Sequence, residues 1–116
     1  MNKIFISYTL KDKNISKDFL EKFQKYILNQ GMECYVDLLD NDYNEEGFQE
    51  KLVGVLKECN LFLAIDTFNY LNSKWTKKEL KVAESLNLRI IRIKIDLLKE
   101  IVEKEFDFSQ ILNSYR

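Results

Sequence analysis

Residues 60–66, Asn-Leu-Phe-Leu-Ala-Ile-Asp, contain the most continuous apolar run of the chain. A short run without alternation between apolar and polar positions favours a strand that is buried on both faces. Strands of this kind stand in the middle of parallel sheets, where helices cover both sides. The run therefore predicts a core built around a parallel sheet.

Strand-like and helix-like patterns alternate along the whole chain. Strand patterns occupy residues 3–8, 32–37, 60–66 and 91–95, and helical patterns follow them from Ile15, Gly47, Thr76 and Asp96. This alternation is typical of right-handed βαβ units, and it predicts an α/β fold with an open parallel sheet covered on both faces. A length of 116 residues fits one domain, so we expect residues 1–116 to fold as a single unit.

The residue inventory excludes several kinds of chemistry. The chain has no histidine, which excludes imidazole bases, imidazole metal ligands and Ser-His or Cys-His nucleophiles. Cys34 and Cys59 lie in or beside apolar segments, and we interpret them as small core residues rather than as a disulfide or a metal pair. We expect no metal site, and any catalysis has to rest on carboxylates, hydroxyls, amines or tyrosine.

Charge and hydropathy argue against nucleic-acid and membrane partners. Lysines and acids are mixed along the chain, and the formal net charge is −1, so no face is expected to be a dedicated nucleic-acid surface. No apolar run approaches the length of a membrane span, and residues 1–3 lead into a strand pattern without an apolar signal region. We therefore expect a cytoplasmic protein.

Candidate functional residues follow the predicted strands. In an open parallel sheet, ligands bind beyond the carboxyl ends of the strands, at the point where the strand order reverses. The loops at 8–14, 37–46 and 66–76 should therefore converge on one rim. Glu79 precedes Val82 by three residues, so on a helix both share the stripe that faces the sheet. We expect Glu79 to face the crevice at this rim.

The stretch 73–80, SKWTKKEL, also has a purely structural interpretation. Thr76 and Glu79 have the Thr-x-x-Glu spacing of a capping box at a helix start. Trp75 and Leu80 have the spacing of the hydrophobic staple that often accompanies it. On this interpretation Glu79 starts a helix and takes no part in chemistry. The residues alone favour the capping role and leave a catalytic role open.

Four blocks of the sequence stand in an order and spacing that resemble a known family. The blocks are IFISY (4–8), GMECYVD (31–37), EGFQEKLVGVLKECNLFLAID (46–66) and NYLNSKWTKKEL (69–80). Together they resemble the Toll/interleukin-1 receptor (TIR) domain, in its bacterial type, over about residues 3–96. The resemblance implies a flavodoxin-like open parallel sheet of four to five strands with helices on both faces.

The resemblance also implies an active site. Enzymatic members of the family cleave the nicotinamide–ribose bond of NAD⁺ with the Glu of the last block, which corresponds to Glu79. The substrate-binding residues implied by the family arrangement are Tyr8, Thr9, Asp37, Tyr43 and Trp75. NAD⁺ would be the substrate, and neither a cofactor nor a metal is required. Because nicotinamide is already cationic in NAD⁺, a carboxylate that stabilises oxocarbenium character is sufficient for this bond.

Three functions remain open at this point. The first is a NAD⁺ glycohydrolase or cyclase, a bacterial defence or signalling effector whose nucleotide product would act on a second effector protein. The second is a non-enzymatic adaptor that works by homotypic TIR–TIR interaction through the 38–46 loop and its helices. The third is a nucleoside deoxyribosyltransferase-like enzyme, since that flavodoxin-like fold also uses a Glu on the N-glycosidic bond. The Trp-x-x-x-Glu spacing favours the first function over the third.

Overall fold

The structure, a computed structural model, describes residues 2–36 and 48–115. Strands and helices alternate in these residues, as the sequence pattern predicts. In chain order the elements are β1 (Lys3–Ser7), α1 (Lys17–Asn29), β2 (Glu33–Val36), α2 (Phe48–Lys57), β3 (Leu61–Asp66), a 3₁₀ helix (Tyr70–Asn72), α3 (Lys74–Ser85), β4 (Arg89–Lys94), α4 (Ile95–Glu103) and α5 (Phe108–Asn113).

The four strands of the described residues form one parallel sheet in the order β2-β1-β3-β4. This arrangement confirms the predicted α/β class and the flavodoxin-like open sheet. The strand β1 pairs with β2 on one side and with β3 on the other, so the strand order reverses between β1 and β3. Ligands of such sheets bind beyond the carboxyl ends of the strands at this reversal.

Two apolar cores cover the two faces of the sheet. The first, which we call the α1-side core, joins strand residues such as Ile6 and Leu63 to helices α1, α4 and α5. The second, the α2-side core, joins Phe5 and Phe62 to helices α2 and α3. Neighbouring residues of a strand point to opposite faces, and each buried Phe or Ile contributes about 1.5–3 kcal/mol to folding. The face that each residue of β1 and β3 occupies is therefore firmly set.

The tail after β4 forms two helices, as its amphipathic pattern predicts. The Arg89 guanidinium fastens the second of them, since it donates hydrogen bonds of 2.6 Å to the carbonyls of Leu112 and Tyr115. The sheet therefore keeps four strands in the part of the chain that the structure describes. Within the same residues, no helix combines the length and the apolar character that a membrane crossing requires.

The start of α3 differs from the predicted capping box. The N-cap is Ser73, whose extended backbone (φ −88°, ψ 130°) precedes the helix and whose hydroxyl accepts a hydrogen bond from the Thr76 amide. Thr76 lies inside the helix and donates its own hydroxyl to the carbonyls of Tyr70 and Ser73. Glu79 therefore belongs to the second turn, beyond reach of the cap, and Trp75 is helical rather than a staple residue before the cap.

Candidate active site at the carboxyl end of the sheet

The buried polar residues of the described chain collect at one end of the sheet. They are Ser7, Thr9, Thr67, Ser73, Thr76 and Glu79. Each of them ends or follows β1 or β3, or lies in the first two turns of α3 and its cap. A buried polar group costs about 1–3 kcal/mol when it lacks a hydrogen bond, so cores avoid such groups unless they serve a purpose. Their concentration marks the carboxyl end of the sheet as the candidate site.

Glu79 stands at the centre of this polar group. It lies on the inner face of α3 with Val82 and Ala83, and only 4% of its surface is exposed. The Ser7 hydroxyl at the carboxyl end of β1 donates a hydrogen bond of 2.8 Å to Glu79 Oε1. The prediction that Glu79 lies on the stripe facing the sheet is therefore confirmed.

Tyr70 connects to Glu79 through Ser7. The oxygen of the Tyr70 hydroxyl lies 2.6 Å from Ser7 Oγ, and both residues are fully buried. Burial raises the pKa of Tyr70 well above its usual value, and the charge of Glu79 raises this pKa further. The Tyr70 phenol therefore stays protonated at neutral pH.

The sheet register explains how Tyr70 fits beside Ser7. Ser7 pairs with Ala64 of β3, and Ala64 pairs with Arg92 of β4, so the three residues form one row across the sheet. Ala64 and Tyr70 belong to the same α2-side core. The Arg92 guanidinium lies 5.7 Å from the centre of the Tyr70 ring and forms an ion pair of 2.8 Å with Asp66. Two residues of the row therefore contact Tyr70, Ser7 at its hydroxyl and Arg92 over its ring.

A hydrogen-bonded clasp joins the loop after β1 to the segment after β3. Asp12 accepts hydrogen bonds from the Asn69 amide at 2.8 Å and from the Asn69 side chain at 2.6 Å. Lys11 Nζ donates to the Asn72 carbonyl at 2.9 Å. The Thr67 side chain and the Asn69 groups beside Asp12 lower the pKa of its carboxyl, although desolvation opposes them. The clasp fixes the two loops that flank Ser7.

The structure places the predicted substrate-binding residues in different surroundings. Thr9 is buried at the rim and its hydroxyl accepts a hydrogen bond of 3.3 Å from the Lys11 amide. Trp75 is 39% exposed, with the ammonium groups of Lys74 and Lys78 at 5.5 Å and 5.2 Å from its ring. Tyr8 packs against the α1-side core, on the face of β1 opposite to Ser7. Substrate binding by these residues stays a prediction.

Asp37 and Tyr43, the other predicted substrate-binding residues, lie outside the described residues. The same applies to the loop at 38–46 that the adaptor hypothesis invokes. Their roles stay predictions.

Sequence reasoning missed Ser7, Tyr70 and Arg92 as members of the site. Ser7 carried a usable signal, because a small polar residue at the end of a predicted buried strand has to find a partner. No local pattern marked Tyr70 or Arg92, since their contacts with Ser7 and Asp66 bridge distant parts of the chain.

An open cleft of about 430 Å³ lies at the opposite end of the strands from Glu79. Its lining residues are Lys3, Gln24, Leu28, Glu33, Cys34 and Tyr35. Lys3 and Glu33 begin β1 and β2, so the cleft belongs to the amino end of the sheet. It contains none of the predicted site residues.

The rim of the candidate site exposes several large apolar side chains. Phe68 is 92% exposed, Leu10 49% and Leu71 45%. The clasp between Asp12 and Asn69 joins the two segments that carry these residues. Exposed apolar groups that cluster at one place favour an interaction surface.

The fold and this site define a flavodoxin-like α/β protein with a buried carboxylate beyond the carboxyl end of its central strand. The profile of the TIR domain family matches residues 4–113, so the chain belongs to the TIR domain family. A comparison with curated proteins finds no match.

Three solved structures illustrate the likeness of fold. The TIR domain of the Toll-related receptor TRR-2 from Hydra magnipapillata has a TM-score of 0.56 and 18% identity, over 77% of this chain and 66% of that one, or about two thirds of its length. The CMP N-glycosidase BcmB of Clostridium botulinum has a TM-score of 0.60 and 19% identity, over 91% and 84% of the two chains. The TIR domains of the activated Roq1 resistosome have a TM-score of 0.60 and 17% identity, over 98% and 70%.

Proposed function

We propose that the protein is a NAD⁺ glycohydrolase or cyclase that cleaves the nicotinamide–ribose bond, with Glu79 as its catalytic carboxylate. The observation that carries this proposal is the placement of Glu79. Its carboxylate is buried beyond the carboxyl end of β1, accepts the Ser7 hydroxyl and takes no part in capping α3. Because Ser73 supplies the cap, the capping explanation for an acid at position 79 no longer applies.

The reaction needs a negative charge beside the sugar and little else. The bond between the ribose C1′ and the nicotinamide nitrogen breaks, and its electron pair neutralises the pyridinium as nicotinamide departs. The positive charge that develops on the ribosyl group is stabilised by the Glu79 carboxylate. Water that captures the ribosyl cation loses a proton and gives ADP-ribose, whereas capture by an adenine nitrogen gives a cyclic product.

The low exposure of Glu79 has a consequence for this reaction. With 4% of the residue exposed, a ribose reaches the carboxylate only when side chains at the rim move. Association between copies of the domain would supply such a movement, in keeping with a family that works through TIR–TIR contacts. We therefore expect low activity from dilute monomer and higher activity from crowded or clustered protein.

The proposed role is that of a bacterial defence or signalling effector. Its nucleotide product would act on a second effector protein. The name of one structural neighbour, a CMP N-glycosidase, gives chemistry at the same class of bond. CMP is therefore the alternative substrate to compare with NAD⁺.

The replacement Glu79→Gln tests the proposal. Gln retains an oxygen that accepts the Ser7 hydroxyl, so we expect the free energy of unfolding to change by less than about 1 kcal/mol. It removes the charge, so nicotinamide release should fall about 100-fold or more. The matched control is Glu84→Gln, the same change at an exposed position of the same helix. Release of nicotinamide is followed by chromatography on clustered protein, beside a urea unfolding curve.

Each other outcome has a defined meaning. Equal activity of the Glu79→Gln and Glu84→Gln variants would remove Glu79 from the chemistry. Cleavage of CMP but not of NAD⁺ would show that CMP is the substrate and would leave Glu79 as the proposed catalytic carboxylate. If clustered wild-type protein cleaves neither compound, the enzymatic proposal is wrong.

The second candidate function is a non-enzymatic TIR adaptor. The exposed apolar groups at the rim favour it, since Phe68 alone is 92% exposed. On this hypothesis the buried polar residues have no catalytic role, and the rim is the surface that binds other TIR domains. Enzymatic inactivity together with self-association through the rim would support the adaptor.

A further inference from the structure

We propose that Ser7 and Tyr70 are positioning residues that hold the Glu79 carboxylate in its working orientation. The proposal deepens the proposed function and rests on it for its kinetic consequence. Neither residue needs to touch the substrate. Their effect is exerted through the linked hydrogen bonds Tyr70–Ser7–Glu79.

The number of available protons fixes the direction of these hydrogen bonds. A serine hydroxyl carries one proton, and Ser7 uses it to donate to Glu79 Oε1 at 2.8 Å. The contact of 2.6 Å between Ser7 and Tyr70 therefore requires Tyr70 to be the donor. Tyr70 donates to Ser7, and Ser7 donates to the carboxylate. Each hydroxyl thereby has one partner that it donates to, and Ser7 cannot rotate away without breaking both of these buried hydrogen bonds.

Tyr70 is itself fixed by the surrounding structure. Its carbonyl accepts a hydrogen bond from the Thr76 hydroxyl, and its amide donates to the Thr67 carbonyl at 3.1 Å. Its ring lies under the Arg92 guanidinium, at 5.7 Å. Thr76 lies one turn before Glu79 on α3, so the same helix carries the carboxylate and anchors the start of the hydrogen-bonded chain. The contacts of Tyr70 with α3 therefore fix its hydroxyl relative to the Glu79 carboxylate, with Ser7 between them.

A structural role alone does not explain the Tyr70 hydroxyl. A phenylalanine ring would fill the same space in the α2-side core and lie equally well under Arg92. The hydroxyl adds the link to Ser7, and it does so at the cost of burying one further polar group. Removing groups that orient a functional side chain from behind typically costs 10–100-fold in metal sites, and misplacing reactive groups by about 1 Å costs about 100-fold.

The experiment compares Ser7→Ala and Tyr70→Phe with two matched controls. Tyr26→Phe removes a buried tyrosine hydroxyl that donates to the Phe106 carbonyl, on the other face of the sheet. Ser85→Ala removes a serine hydroxyl that donates to the Val82 carbonyl at 2.7 Å. Both controls lose a hydrogen bond without touching the Tyr70–Ser7–Glu79 chain. They therefore show how large an effect on the readouts results from losing a hydrogen bond that has only a structural role.

The first readout does not depend on activity. The side-chain carboxyl carbon of Glu79 is observed by ¹³C NMR and assigned by its disappearance in Glu79→Gln. We expect Ser7→Ala and Tyr70→Phe to shift this signal and the two controls to leave it in place. An unchanged signal in Ser7→Ala would overturn the positioning role, whether or not the protein cleaves NAD⁺.

The second readout is kinetic. We expect Ser7→Ala to lower kcat for nicotinamide release about 10–100-fold with KM changed less than about threefold. Tyr70→Phe should lower kcat less, because Ser7 can still donate to Glu79, and Ser7→Thr should recover most of the loss since it keeps the hydroxyl. A higher KM with an unchanged kcat in Ser7→Ala would overturn the proposal, because it would make Ser7 a substrate contact. Absence of turnover in wild-type protein would refute the enzymatic function alone and leave the NMR result to decide on Ser7 and Tyr70.

Discussion

At the scale of single residues, two buried tyrosines of the described chain serve opposite faces of the sheet. Tyr70 donates to Ser7 beside the candidate site, whereas Tyr26 of α1 donates to the Phe106 carbonyl within the α1-side core. Tyr26 is 6% exposed, and its ring meets Phe108 edge-on with the ring centres 5.7 Å apart. Both phenols are stabilised in their neutral form because burial penalises phenolate.

Tyr26 predicts a loss of stability at alkaline pH. Burial raises the pKa of Tyr26 from 10.0 to about 12, and the charge of Asp107 contributes to the shift. The folded state therefore holds this proton more tightly, so its contribution is complete below pH 10 and declines as pH rises through about 12. Urea unfolding curves measured across this range should show a smaller pH dependence for Tyr26→Phe than for wild type. Parallel pH dependences in the two proteins would contradict this assignment.

At the scale of elements, α3 organises the candidate site because its start and its inner face have different tasks. Ser73 caps the helix, Thr76 binds the preceding 3₁₀ helix, and Glu79 one turn later faces Ser7. A helix is a rigid support, so the cap sets the direction in which the carboxylate points. Because Ser73 caps the helix, Glu79 does not have to serve both as a cap and as a catalytic residue.

The cap assignment predicts a specific loss of stability. Ser73→Ala should lower the free energy of unfolding by about 1 kcal/mol, or the melting temperature by about 4 °C, because the Thr76 amide loses its acceptor. Ser73→Asp should behave like wild type, since Asp is also a strong cap. Thermal unfolding followed by circular dichroism measures both variants. A Ser73→Ala variant as stable as wild type would show that another residue caps α3.

At the scale of the whole molecule, the carboxyl end of the sheet combines a polar interior with an apolar rim. Ser7 and Glu79 lie buried within it, while Phe68 and Leu71 are exposed at its edge. The clasp between Asp12 and Asn69 keeps the loops of the rim together. An arrangement of this kind allows association between copies and access to the carboxylate to influence each other.

The exposure of Phe68 predicts that the rim contributes to self-association. Phe68→Ser should weaken self-association about tenfold, because aromatic side chains dominate interface energies. The control is Phe106→Ser, which alters another exposed aromatic residue, 40% exposed and distant in sequence before α5. Sedimentation velocity over a concentration series measures the association constant. Equal weakening by both changes would assign the effect to general hydrophobicity rather than to the rim.

The strand and helix pattern was determined by the sequence itself. The apolar run at 60–66 became β3 at the middle of the sheet, and the strand pattern at 91–95 became β4. The spacing between Glu79 and Val82 was enough to place the acid on the buried face of its helix. These predictions succeeded because each depends on the period of a local pattern, which the chain carries wherever it packs.

Only the tertiary structure decided which residues meet. Ser73 and Thr76 are both suitable caps by residue type, and the path of the chain out of the 3₁₀ helix selected Ser73. The pairing of Ser7 with Glu79 joins residues 72 positions apart and depends on which face of β1 each residue occupies once the two cores have formed. Local periodicity has no information on such pairings, because they result from the burial of both faces of the sheet at the same time.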